Sequence, residues 1–223
     1  MILRRTIRSL AGLFGALLLG LWAHTTTAGE LHVVVLDADG NPVPDVAVFV
    51  EQRGAARPIG DPVPAVMDQK DERFVPHILL VQRGAAVEFP NSDVIAHHVY
   101  SFSQPNDFEL PLYKGTPPDP VHFAHAGIVT LGCNIHDGML GYIVVVDTDV
   151  FAMTGSDGAV TLAVDDDANS WRVHAWSPRF RDSREPLVNE VQRSDSPATT
   201  FRLQKKLRPP HGDESESLLW NDY

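Results

Sequence analysis

The 223-residue chain contains one cysteine, Cys133, and that scarcity excludes more than any other feature. One thiol cannot close an intramolecular disulfide, and covalent haem attachment needs two cysteines ahead of its histidine. Structural zinc usually recruits several thiolates or a closed histidine set. Long apolar stretches are also lacking. The run Leu10–Trp22 has 13 residues, against the roughly 20 that a membrane-spanning helix needs. Basic side chains are few, 18 against 29 acids, for a formal net charge of −11. Such a balance makes nucleic acid and anionic membrane surfaces poor partners. Neither a Gly-x-Ser-x-Gly elbow nor a phosphate-cradling loop is present.

The N-terminus has an order of its own. Arg4, Arg5 and Arg8 precede the apolar run, and a short polar stretch then ends at Thr26-Thr27-Ala28. Charged, apolar, then small at a cut site is the grammar of a secretory signal peptide, so residues 1–28 are expected to be removed. An uncleaved anchor is the alternative. Cleavage takes away three arginines and no acids, leaving 15 basic and 29 acidic side chains in 195 residues, a net charge of −14. The expected location is the periplasm, with no stable membrane insertion once the signal is gone. In that oxidising compartment an exposed free thiol is an oxidation hazard, so Cys133 is either buried and inert or bound to something.

What remains is rich in short β-type runs divided by Gly, Pro, Asp and Asn, among them Leu31–Leu36, Phe74–Val81, His97–Phe102, Ile128–Gly132, Tyr142–Val146 and Trp171–Trp176. No amphipathic helical pattern follows the signal. Many short strands with turn signals between them predict an all-β sandwich or barrel. The segment Asp37–Pro44 superficially resembles a calcium loop, but its glycine is misplaced and no bidentate glutamate closes it, so a tight turn is expected. Asp165-Asp166-Asp167 is read as a solvated turn. Punctuation divides the chain into N-terminal strands (29–62), a central unit (63–147), a second β unit (148–205) and a polar, flexible tail (206–223) that carries Leu218-Leu219-Trp220.

One segment carries chemistry. Cys133-Asn-Ile-His136-Asp-Gly-Met139 offers a thiolate, an imidazole and a thioether on a short loop, and the upstream run Asn91-Ser-Asp-Val-Ile-Ala-His97-His98 supplies further imidazoles. Thiolate and thioether suit Cu(I), imidazole suits both copper oxidation states, and a weak axial thioether tunes the potential. A catalytic cysteine paired with His136 is a competing reading. His97 and His98 are neighbours on an apparent strand, so their side chains point to opposite faces and only one can reach a shared metal. Of the other histidines, His32, His77, His122, His125 and His174 show no ligand spacing, which leaves a second metal centre without support.

The stretch Val63–Asp147 resembles the cupredoxins, and Cys133-x-x-His136-x-x-Met139 is similar to the short ligand loop of amicyanin. Phe89-Pro90-Asn91 leading to His97, and Ala126-Gly127 leading into Ile128–Cys133, extend the likeness. The whole chain also looks like plastocyanin-like periplasmic proteins often labelled as methylamine-utilisation proteins. The resemblance implies a Greek-key β-sandwich with His97, Cys133 and His136 as equatorial ligands and Met139 as axial ligand of one type 1 copper ion. It also implies a one-electron carrier rather than an enzyme, working with redox partner proteins. His98, Gly132 and an added-looking stretch, Phe108–Pro118, depart from the family pattern without removing a ligand. Val35–Phe49, Thr154–Leu162 and Trp171–Trp176 resemble carboxypeptidase-regulatory-like sandwiches, so the flanks are expected to form a second small β-sandwich around the central unit. A copper-sequestering or copper-delivering module is the alternative function. The four methionines, one of them the initiator, are few for that role.

Overall fold

The computed structural model describes residues 28–54, 60–117, 119–136, 138–165, 168–194 and 196–210. The expected signal segment up to Thr27, the pair Asp166-Asp167 and the tail from His211, with Leu218-Leu219-Trp220, lie outside the described residues. Within the described residues the chain is all-β, with strands and no helix.

The strands are β1 (Ala28–Leu36), β2 (Ala47–Gly54), β3 (Ala65–Val66), β4 (Asp68–Lys70), β5 (Arg73–Val75), β6 (Ile78–Gln82), β7 (Ala86–Glu88), β8 (His97–Ser101) and β9 (Phe108–Tyr113). They continue as β10 (Val121–His122), β11 (Gly127–Cys133), β12 (Leu140–Val146), β13 (Phe151–Met153), β14 (Ala159–Asp165), β15 (Ala168–Trp176), β16 (Leu187–Gln192) and β17 (Ala198–Arg202).

The middle of the chain forms a five-stranded sheet in the order β6-β12-β11-β8-β9 and a three-stranded sheet β10-β7-β3, with the hairpin β4–β5 apart from both. Val81, Val87, Phe89, Val99, Leu131 and Ile143 from these elements share one buried core. The two flanks of the chain meet in another pair of sheets, β14-β1-β17 and β13-β2-β15-β16. Leu31, Val33 and Val35 of β1 are buried while His32 is exposed, the period-two pattern of a strand with one face on a core. They pack with Val48, Val50, Leu162, Val173 and Phe201.

Strand β12 breaks the period-two pattern: Ile143, Val144, Val145 and Val146 are all buried. Ile143 and Val145 face the central core. Val144 and Val146 face the other way, onto Ala47, Ile78 and Trp176. A continuous apolar run is what a strand covered on both faces requires. Trp176, from the end of β15, lies edge-on to Tyr142 at 5.4 Å and donates its indole N–H to the carbonyl of Ser183 at 2.7 Å.

Asp37 makes the tight turn expected of its segment, its Oδ1 accepting the amides of Asp39 and Asn41, with Gly40 at φ 90°. One expectation needs correction. Residues 206–210 are not a free tail: Leu207 packs on the flanking core, and Arg208 bonds to the carbonyls of Arg179, Pro178 and Arg181. A backbone amide and an arginine fork that together satisfy three backbone oxygens hold chain whose composition is that of a linker. The stretch that looked added, Phe108–Pro118, supplies β9, the edge strand beside β8.

Trp176 is the largest side chain of the cluster between the two sandwiches, so Trp176→Ala should lower the unfolding free energy by about 3–5 kcal/mol. Denaturant midpoints measure this. A loss below ~1 kcal/mol would mean that this cluster contributes little to holding the fold.

Candidate metal centre

Cys133 ends β11 and His97 opens β8, and the register of these two strands decides what they face. Cys133 stands opposite Val99, and Gly132 opposite Tyr100, so His97 lies two residues along the strand from the partner of Cys133, on the same face. The loop after Cys133 turns back tightly, the amide of Met139 donating to the carbonyl of His136 at 3.0 Å. His136 is thereby brought beside the other two. Cys133 Sγ is 3.8 Å from His97 Nδ1 and 3.8 Å from His136 Nδ1. The imidazole centroids are 4.9 Å apart, inclined at 59°. All three donor atoms lie within 4.8 Å of one another.

Burial is graded across the group. His97 is 0% exposed, Cys133 5% and Met139 2%, whereas the His136 side chain retains 22%. Met139 belongs to the same buried core as Cys133. His98 points away: its Nε2 lies 2.9 Å from the exposed carboxylate of Glu109, and its ring leans on Tyr100 at 5.7 Å. Among the described residues, no second His/Cys/Asp/Glu group of three or more could hold a metal ion. His32 pairs with the Thr161 hydroxyl at 3.0 Å, and His174 stacks on Phe49 at 4.6 Å.

The geometry fits a small soft-to-borderline cation. With metal–sulfur and metal–nitrogen bonds of about 2.3 and about 2.0 Å, a 3.8 Å sulfur–nitrogen separation subtends roughly 120° at a shared ion, the angle of a trigonal His2Cys site. One thiolate and two imidazoles, with Met139 in the same buried core, match copper's preferences better than zinc's.

Several residues at the site carry no motif that would have singled them out. Asp93 lies 2.7 Å from His97 Nε2, the nitrogen facing away from the cysteine. Its Oδ1 accepts the amide of Asp71 at 2.7 Å and its Oδ2 that of Glu72 at 3.0 Å. Burial pushes the Asp93 carboxyl up, but the Glu72 amide, the His97 ring and the Asp71 amide outweigh that and hold it below the ordinary value. A carboxylate four residues before a candidate ligand was the only available clue. Asn91 fixes the loop, its amide donating to the carbonyls of Ile95 and Tyr113, both at 3.0 Å. Fully buried Gln69 donates to the carbonyl of Pro90 and to the hydroxyl of Tyr113, which donates in turn to the carbonyl of Phe89 at 2.6 Å. This buried polar network sits beneath the loop leading to His97 and gives it one conformation.

Neither a family model nor a curated protein matches the chain. Among solved structures, the chain is similar to a copper-containing nitrite reductase from Thermus scotoductus SA-01, with 23% identity over 43% of this chain and 25% of that one, at a TM-score of 0.36. It therefore spans a quarter of that enzyme's length. A reduced Cu(I) form of an amicyanin variant is 23% identical over 37% of this chain and 82% of its own, with a TM-score of 0.34. A purple cupredoxin from Nitrosopumilus maritimus is 17% identical over 38% of this chain and 100% of its own, with a TM-score of 0.33. The likeness is thus to cupredoxin structures, and these values are too low to carry over the role of any residue.

The Tyr113 phenol makes the network testable. Burial, chiefly, and the nearby Asp68 and Cys133 push it up to about 12, against the lowering effect of the Gln69 hydrogen bond. Between pH 10 and 12 the folded state therefore keeps a proton that the unfolded chain has lost, so stability falls as pH rises through that window. Tyr113→Phe should flatten this decline, and the parent-minus-variant difference spectrum should show one tyrosinate titrating near pH 12. A difference titrating near pH 10 would place the hydroxyl in solvent.

Proposed function

We propose that the chain is an exported mononuclear type 1 copper protein that acts as a one-electron carrier. Copper is held by His97, Cys133, His136 and Met139 in a cupredoxin unit of residues 63–147. That unit is set into a second sandwich built from residues 29–62 and 148–205. The observation that carries this reading is the equal 3.8 Å spacing of Cys133 Sγ from the Nδ1 atoms of His97 and His136, in surroundings that bury the thiol almost completely.

Copper bound there would supply a Cu(II)/Cu(I) couple that exchanges one electron at a time. The side chains do the rest. Cys133 binds as the thiolate and gives up its proton on loading. His97 presents Nδ1 from a strand end and is shut off from water. Leu131, Phe89 and Ile143 line the core behind the site and keep it dry. Ligands set on paired strands move little when the charge changes, which lowers reorganisation. His136 is the ligand whose ring reaches the surface, beside Ile135 at 50% exposed. An exposed apolar side chain next to a ligand suits transient contact with a redox partner protein.

Sequestration or delivery of copper is supported less, because a site that hands over its ion needs accessible donors and three of these four are buried. An oxidase or reductase would need a further metal or substrate site beside this one. Periplasmic location rests on residues 1–28, read from sequence.

Full-length mature protein titrated with Cu(II) should develop an intense thiolate-to-copper absorption that saturates at one equivalent and bleaches reversibly with ascorbate. Cys133→Ser should abolish the band while the far-ultraviolet circular dichroism stays that of a β protein. Colour surviving in that variant would sink the assignment. The two adjacent histidines give a second check. His97→Ala should weaken copper binding by at least ~10-fold, whereas His98→Ala should keep both affinity and colour. The opposite pattern would make His98 the ligand.

A further inference from the structure

The hairpin β4–β5 stands apart from both central sheets, yet it is packed tightly against the site. The ring of Phe74 on β5 lies so close over Gly141 of β12 that a Cβ there would meet Phe74 Cβ at 2.7 Å. The register Lys70↔Arg73 leaves Asp71-Glu72 as a two-residue turn, with φ of 54° and 55°. Turns with both residues in the left-handed region favour Asn-Gly, because most side chains are strained there. Two acidic residues occupy it instead. Their amides converge on a single acceptor, the carboxylate of Asp93, whose Oδ2 also meets His97 Nε2. The same turn places Glu72 Oε2 at 3.9 Å from His136 Nε2. The outer nitrogens of both imidazoles therefore face carboxylates, one in a direct contact and one at longer range.

We propose that Asp93 is a positioning residue for both imidazole ligands, fixing the tautomer of His97 directly and, through the Asp71-Glu72 turn, stationing the Glu72 carboxylate at His136. Three consequences follow from its contacts. A carboxylate on Nε2 requires the proton there, which leaves the Nδ1 lone pair free toward Cys133. Negative charge behind an imidazole makes it a stronger donor, as outer-shell carboxylates do for metal-bound histidines. Both negative charges favour the more positive oxidation state of the ion, so the site is biased toward Cu(II). The Asp93 contribution is the larger, because that carboxylate is only 12% exposed whereas Glu72 is 60% exposed and screened by solvent.

This inference rests on the copper reading, and its test has one arm that does not. In the metal-free full-length mature protein at neutral to mildly alkaline pH, nitrogen-15 NMR of labelled histidine should show His97 protonated at Nε2. Asp93→Glu should preserve that tautomer, and Asp93→Ala should lose it. His97 protonated at Nδ1 in the parent overturns the proposal whether or not copper binds. If the parent binds no copper, the carrier reading fails while the tautomer result still stands. In copper-loaded protein, Asp93→Asn should move the Cu(II)/Cu(I) equilibrium toward Cu(I) by about tenfold, equivalent to a potential about 59 mV higher. Glu72→Gln should move it the same way by about twofold, since an exposed charge is screened, without changing the unfolding midpoint. Asp93→Glu should stay closer to the parent than Asp93→Asn. Equal shifts in Asp93→Asn and Asp93→Glu, or no shift in either Asp93→Asn or Glu72→Gln, would reduce Asp93 to a structural clamp and overturn the proposal.

Discussion

Strands β8 and β11 pair so that Cys133 stands opposite Val99 and Gly132 opposite Tyr100, and the site depends on that pairing. Side chains alternate along a strand, so a slip of one residue would turn His98 inward and bury His97 against the wrong face. Gly132 helps fix the register, because a Cβ at that position would meet the Tyr100 ring at 2.8 Å. The aromatic ring occupies the space the glycine leaves, and a neighbour with any larger side chain would have to push it aside. The thiol thus ends its strand already facing an imidazole, and the short loop to Met139 has only to bring His136 round.

The five-stranded sheet carrying His97 and Cys133 is held on both faces. Ile143 and Val145 of β12 close the core under the site, while Val144 and Val146 on the same strand lie against Trp176 and Ala47 of the flanking sheets. The flanking sandwich is assembled from chain ends, β1 pairing with β14 on one side and β17 on the other. Its role in the molecule is thus mechanical at least: it covers the outer face of the five-stranded sheet, which would otherwise expose Val144 and Val146.

Charge is distributed with the same economy. The chain is strongly acidic, yet the carboxylate against His97 is not diffuse surface charge. Asp93 is nearly buried, accepts two amides and one imidazole, and ties the hairpin β4–β5 to the strand that begins at His97. Beneath it Gln69 donates to the Tyr113 hydroxyl, and Gln69, Asn91 and Tyr113 all donate to the carbonyls around them. A loop fixed from both sides in this way holds an imidazole in place before any metal arrives.

Much of this was legible in the sequence. Alternating apolar residues in Leu31–Leu36, the uninterrupted run Tyr142–Val146 and the scarcity of helical periodicity are local properties, and they are sufficient for an all-β fold. Cys133, His136 and Met139 lie within seven residues, so their convergence needs only a tight turn, and the strand alternation that separates His97 from His98 is equally local. The run Phe74–Val81 is divided into β5 and β6, β4 escaped because three residues carry no periodicity, and β9 because its proline and its length look like an insertion. Asp93, Glu72, Gln69 and Tyr113 acquire their meaning only from tertiary pairing. A carboxylate, an amide or a phenol is mostly exposed in proteins at large, and nothing in its neighbours along the chain says which buried nitrogen or carbonyl it will meet. Local pattern alone was enough to put a thiol, two imidazoles and a thioether on two short stretches of chain. Which charges stand behind those donors was decided by the folding of the β4–β5 turn, through side-chain and amide contacts more than twenty residues apart in the chain, onto the carboxylate of Asp93.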